Sequence, residues 1–178
     1  MNKKTKMLIE GGVMIALAVI LNQIKLFQMP NGGSITLGGY VPIFIYALRW
    51  GGIPGIICGA LYGVLDGILN PFFFHPVQVL LDYPLAYGAL GLSGFGNNGG
   101  LDHKLELKNI LMIVFASFMR FAFAVVSGVV FFASSLPQNV NPWIASAGYN
   151  GPYVTVNTIV AILLLFLIWK PLQKGLKK

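Results

Sequence analysis

Long apolar runs alternate with short polar breaks along this chain, and that alternation predicts six helices that cross a membrane. The first run covers about residues 7–24 and stops at Lys25; a break rich in Pro, Asn and Gly follows at 28–33. A second run, about 35–48, ends at Arg49, and the cluster Gly51, Gly52, Pro54 and Gly55 turns the chain into a third at about 56–69. Gly and Pro in such clusters break helices and supply turns. The segment NPFFFHP at 70–76 is a second outer break with an aromatic centre, and a fourth run spans about 77–92. After the hydrophilic stretch GFGNNGGLDHKLELK come a fifth run at about 110–132, the polar segment SSLPQNVNPW, and a sixth run at about 149–169.

Composition narrows the class. The chain of 178 residues is 56% hydrophobic and 10% charged, with mean hydropathy +0.76, whereas a soluble domain is about one-quarter charged. A water-soluble fold is excluded. Six spans of about 20 residues with short loops use the whole length. Residues 1–178 therefore read as a single transmembrane substrate-binding domain in an all-α integral membrane protein, with no room for a separate soluble catalytic or nucleotide-binding domain.

The net charge of +7 would suggest nucleic acid in a soluble protein. Here the basic residues instead mark orientation. With the N-terminus inside, the inner ends and loops hold Lys3, Lys4, Lys6, Arg49, Lys104, Lys108, Lys170, Lys174, Lys177 and Lys178, and the outer loops hold only Lys25. The positive-inside rule then puts both termini in the cytoplasm. Lys3, Lys4 and Lys6 before an apolar run resemble a signal peptide, but Glu10 lies within that run and no small-x-small cleavage site follows. The run is expected to remain as the first helix. Cys58 is the only cysteine, which rules out an intrachain disulfide and a thiolate metal cluster.

Candidate chemistry begins with the charges inside the apolar runs. Asp82 and Arg120 each cost roughly 3 kcal/mol in a bilayer on insertion scales, so such residues face a cavity, a partner or a substrate. Gln78 and Asp82 are one helical turn apart and share a face; Tyr83 and Tyr87 form a second such pair beside them. A purely structural reading pairs Asp82 with Arg120 inside the bundle, and it is compatible with a binding role. On the fifth run Arg120, Ala124 and Gly128 fall at successive turns, with Ser127 adjacent and Phe131 and Phe132 at the outer end. That stripe either admits another helix or leaves space under Arg120 for a bound molecule. Tyr149, Tyr153 and Asn157 line one face of the sixth run with Asn150 beside them, either as interfacial anchors or as pocket residues.

Other features carry less. Gly12 and Ala16 make a small-xxx-small packing face on the first helix. Asp66, placed at the inner end of the third helix, is expected to pair with Arg49. His75 precedes Pro76 and is expected to shape its loop, and His103 to be a solvated loop residue. There is no HExxH, P-loop or GxSxG pattern, and the two histidines are too far apart for an obvious metal site. No metal or cofactor is expected.

The segments MPNGGSIT, VPIFIYALRWG, HPVQVLLDYPLAY, SGVVFF and PWIASAGYN, in this order, resemble the thiamine-specific S-components of energy-coupling factor (ECF) transporters over nearly the whole chain. The resemblance implies a six-helix subunit of an ABC-type importer in the cell membrane of a prokaryote. It would capture thiamine from outside and dock on one coupling transmembrane protein and two ATPases. It also implies that Asp82 and Tyr83 contact the ligand, with Arg120, Gly128, Phe132 and Asn150 at the corresponding positions of the fifth and sixth helices. Met29, Asn31, Gly32, Gly33 and Ser34 would form the gate over the ligand, and Gly12 and Ala16 the docking face. Gln78 would join the pocket, and Trp143 and Tyr149 would stack on ligand rings beside Phe132.

Two positions depart from that pattern. Where the family commonly has a histidine one turn after the basic residue this chain has Ala124, and where a tyrosine often precedes the amide by five residues it has Ala145. Both changes remove polar contacts and enlarge the pocket, so an S-component for a different small vitamin or precursor is an alternative. A self-sufficient ion-coupled transporter is a second, although three runs on either side of residue 76 show no repeat. An intramembrane enzyme using Asp82 with His75 is a third, and it lacks a paired catalytic residue at the same depth.

Overall fold

The computed structural model describes residues 2–72, 74–96, 100–101 and 104–176; His103, Lys177 and Lys178 lie outside the described residues. Its elements are α1 (Lys3–Gln23), a hairpin of β1 (Lys25–Gln28) and β2 (Ser34–Thr36), α2 (Val41–Trp50) and α3 (Gly52–Leu69). The fourth crossing is a composite: α4 (Pro76–Leu80), a π-helical turn (Leu81–Leu85), α5 (Ala86–Leu90) and a 3-10 turn (Gly91–Gly96). Then follow α6 (Leu107–Phe132), a short 3-10 turn (Ala133–Ser135) and α7 (Pro142–Leu176). α1, α3, α6 and α7 are long and apolar enough to cross a bilayer. The protein is an all-α membrane protein with a small outer hairpin.

The second crossing is shorter than the sequence suggested. Ser34–Thr36 pairs as β2 instead of starting the helix, leaving α2 only ten residues, about 15 Å against a hydrocarbon core of about 30 Å. Such a helix survives in a membrane because it does not face lipid: Val41 through Leu48 are all buried. Its neighbours supply that environment. At its inner end the Arg49 guanidinium pairs with Glu10 of α1 at 2.6 Å, and the Trp50 indole N–H donates to the same carboxylate at 2.8 Å. The expected Arg49–Asp66 pair is thereby replaced. Because α3 runs outward, Asp66 lies near its outer end, a helix length away from Arg49.

α7 is longer than its apolar run, because a helix-start signal lies upstream of it. Asn141 caps the backbone N–H groups of Trp143 and Ile144 at 2.9 and 3.4 Å, and Pro142 occupies the first turn. A capping side chain followed by proline favours initiation there.

What holds α3 against the fourth crossing is a glycine stripe, Gly55, Gly59, Gly63 and Gly67, spaced one turn apart. A Cβ at Gly59 would land on the Tyr87 carbonyl oxygen, and one at Gly63 on the Tyr83 carbonyl oxygen. Without a hydrophobic drive between helices in lipid, close backbone approach of this kind supplies the packing. The contact fixes the π-helical turn, where Pro84 lacks an N–H and the chain widens so that Ala86 N–H reaches the Leu81 carbonyl.

Gly63→Ala is expected to cost about 1–3 kcal/mol of overpacking, seen as a lower thermal midpoint in detergent. Gly12→Ala, where a Cβ meets nothing within 4 Å, should leave the midpoint unchanged.

Candidate ligand-binding site

A cavity of about 520 Å³ opens between the hairpin, the outer half of the fourth crossing, α6 and α7. Of the side chains expected there, Gln78, Asp82, Tyr83, Arg120, Gly128, Phe132, Tyr149 and Asn150 line it, as do Asn31, Gly32, Gly33 and Ser34 of the hairpin tip. Trp143 and Met29 do not. Trp143 is 56% exposed, because the α7 face carrying Pro142, Ala145 and Ser146 turns inward and its neighbour in sequence points elsewhere. Met29 instead closes the hairpin turn, its N–H donating to the Gly33 carbonyl at 2.7 Å.

Arg120, only 7% exposed, has no carboxylate within ion-pair distance among the described residues. Its Nε donates to the Tyr40 hydroxyl at 2.7 Å, and its guanidinium carbon lies 3.7 Å from the centre of the Tyr87 ring and 5.0 Å from that of Tyr40. Cation–π contact of this kind strengthens when the cation is desolvated. Asp82 is therefore left on the cavity wall without an ion pair: Gln78, Ser127 and Arg120 line the same wall, and among the described residues the buried Ser127 hydroxyl has no hydrogen-bond partner. The direct Asp82–Arg120 pair of the structural reading is not formed.

A second carboxylate, Asp66, also lines the cavity and accepts three hydrogen bonds. One oxygen accepts from the Asn22 amide at 2.8 Å and the Asn70 amide at 2.9 Å, and the other from the Tyr87 hydroxyl at 2.8 Å. These bonds tie α1, the end of α3 and α5 together, and Tyr87 in turn supports Arg120. Lys25 sits half-buried at the mouth, its long stem suited to carrying the ammonium toward water. Asn22, Tyr40, Asp66 and Asn70 were not among the expected pocket residues. The signal for Asp66 was available, since alternating helix direction puts residue 66 at the outer side.

Several residues of the expected site hold other parts of the wall. The Tyr83 hydroxyl accepts from Phe72 N–H at 3.0 Å and donates to the Asn70 carbonyl at 2.9 Å. Gln78 accepts from Phe74 N–H at 2.8 Å. The aromatic loop so fixed presents Phe72 parallel to Phe132, centres 6.4 Å apart, and Phe74 edge-on to it at 6.1 Å. His75 caps α4 through Nδ1 and stacks on Phe131, a loop-shaping role. Asn150 donates to the Ser146 carbonyl at 2.9 Å and accepts from the Tyr153 hydroxyl at 2.7 Å, while a Cβ at Gly128 would collide with Ser146 Oγ. Gly128 thus lets α7 close on α6. Ala124 and Ala145 both line the cavity, so the space their small side chains leave is part of it. Among the described residues no group of three or more His, Cys, Asp or Glu is placed to hold a metal ion.

The family model described as thiamine transporter protein matches residues 8–176. The chain belongs to that family. It is 36% identical to the thiamine transporter ThiT of Bacillus subtilis over 99% of this chain and 96% of that protein. It is 26% identical to the thiamine transporter ThiT of Lacticaseibacillus paracasei, over 92% and 87% of the two chains. The fold matches a solved structure of ThiT from Listeria monocytogenes with a TM-score of 0.81 at 23% identity, covering 96% of each chain. Membership of this family makes the chain a multi-pass membrane transporter. Gly12 and Ala16 remain uncovered on α1, whose lipid-facing side also exposes Leu8, Ile9, Val13 and Ile20.

Asp66→Ala would leave three donors without their acceptor, at roughly 1–3 kcal/mol for each that stays buried. It is expected to lower the thermal midpoint in detergent clearly, whereas Asp82→Ala, which removes no inter-helix bond, is expected to leave it nearly unchanged.

Proposed function

We propose that this chain is the substrate-capture subunit, or S-component, of an ECF-type importer in a prokaryotic cell membrane, binding thiamine from the outer side. The observation that carries the reading is Asp82: a carboxylate on the wall of an outward cavity whose nearby guanidinium is already held by two tyrosines. A ligand bearing one positive charge and an amine supplies what that carboxylate lacks. Thiamine has both, a thiazolium ring and an aminopyrimidine. Phe72 and Phe132 offer ring faces within the same cavity, and a cation near such a face gains about 0.5–2 kcal/mol.

In this reading Asp82 meets the ligand directly, Tyr83 and Gln78 hold the aromatic wall, and Arg120 moderates the field at the floor. Asn150 and Gly128 set the α6–α7 spacing, and the hairpin tip closes over the top. The protein itself makes and breaks no bonds. Import would be driven by two ATPases through a coupling transmembrane protein, for which the uncovered Gly12 and Ala16 of α1 provide a face of the small-residue kind that lets helices approach. The spaces at Ala124 and Ala145 favour no second ligand by themselves, since they remove donors without adding any.

Purified protein is expected to bind thiamine with 1:1 stoichiometry in calorimetry. Asp82→Ala should weaken that binding by about 30-fold or more, the scale of removing one partner of a buried charge pair. Unchanged affinity in the variant would overturn the charge argument. In proteoliposomes the subunit alone should bind without accumulating thiamine; accumulation by the lone subunit under an ion gradient would instead establish the ion-coupled transporter.

A further inference from the structure

The hairpin over the cavity divides into two parts that are held very differently. Its stem is clamped by a buried amide: Asn157 Oδ1 accepts from Thr36 N–H at 2.9 Å and its Nδ2 donates to the Ser34 carbonyl at 2.8 Å. Leu37 N–H adds a bond to the Ile24 carbonyl at 3.1 Å. The tip, residues 29–33, has no such clamp. Its backbone N–H groups at Asn31 and Gly33 both donate to a single atom, the Tyr149 hydroxyl, at 3.1 Å each.

The tip also rests on rings without space to spare. A Cβ at Gly33 would sit 2.9 Å from the Tyr153 ring and 3.1 Å from the Tyr149 hydroxyl, and one at Gly32, which has φ +89°, would sit 3.0 Å from the Phe72 ring. Glycine at both positions lets the tip lie flat on this ledge of tyrosine and phenylalanine. The hydroxyl that accepts from both amides is on α7, a turn below the Ala145 and Ser146 face of the cavity wall.

We infer that Tyr149 is a positioning residue that latches the hairpin tip shut, and that its hydroxyl sets the rate at which ligand enters and leaves. The inference rests on the hairpin being the cover of the proposed thiamine site. The stem stays fixed by Asn157, so opening is a movement of the tip that breaks two hydrogen bonds to one acceptor. Tyr149→Phe keeps the ring and its packing on Tyr153, centres 6.2 Å apart, and removes only the latch.

The direct test needs no ligand. In full-length protein carrying Cys58→Ala and a cavity-facing Ala124→Cys, the labelling rate with a membrane-impermeant maleimide reports tip opening. Adding Tyr149→Phe should raise that rate about tenfold, the change expected for losing two modest hydrogen bonds. An unchanged rate overturns the latch, whatever the protein binds. Stopped-flow binding of thiamine to the Cys58→Ala protein then separates a latch from a ligand contact. A latch predicts that Tyr149→Phe speeds association and dissociation together. Faster dissociation with unaltered association would make Tyr149 a contact of the ligand and overturn the inference. Absence of thiamine binding in the parent protein bears on the proposed function alone, because the labelling result stands without it.

Discussion

A guanidinium enclosed within a membrane protein must be held by something, and the way Arg120 is held decides the chemistry of the whole outer half. Had it closed on Asp82, the two charges would have cancelled and the cavity wall would be neutral. Instead Arg120 lies on the face of Tyr87 and donates to Tyr40, while Asp66 accepts from the Tyr87 hydroxyl and fixes it. Tyrosine faces and hydroxyls stabilise the cation without consuming a carboxylate. One acid is thereby kept for structure and the other is left for a ligand.

That arrangement depends on close backbone contacts between α3 and the fourth crossing. Tyr87 and Tyr83 reach their places because α3 presses glycine against the carbonyls preceding Gly88 and Pro84, and because the π-helical turn at Leu81–Leu85 absorbs Pro84. Side chains larger than hydrogen along the α3 stripe would move the fourth crossing outward and take Asp82 with it. α2, buried over nearly its full length, supplies the rigid centre against which both sides pack, and its Tyr40 neighbour delivers the hydroxyl that Arg120 uses.

The hydropathy pattern revealed the helix count and the acid and base on the fourth and fifth crossings, since charges inside apolar runs are conspicuous. It did not reveal how those charges are partnered. Arg120 has tyrosines from distant parts of the chain, Tyr40 and Tyr87, and no spacing rule links residue 40 to residue 120. The hairpin was missed because four- and three-residue strands leave little periodic signal, and Ser34–Thr36 adjoins an apolar run that reads as helix. Other misses were legible. The Gly55 to Gly67 stripe is a four-residue repeat in plain view, Asn141-Pro142 is a helix start, and helix alternation alone moves Asp66 to the outer side. Trp143 misled because aromatic residues at a membrane surface serve equally well as anchors.

The central claim is that Asp82, unpaired on the cavity wall, selects a ligand for its positive charge. It is tested most directly by comparing, in calorimetry on the unaltered protein, thiamine with a neutral isostere in which the thiazolium is replaced by thiophene. Ring size, the aminopyrimidine and the side chain are then the same, and only the charge differs. Binding of the neutral compound at least tenfold weaker than thiamine is the predicted result; equal affinity for the two would contradict the account.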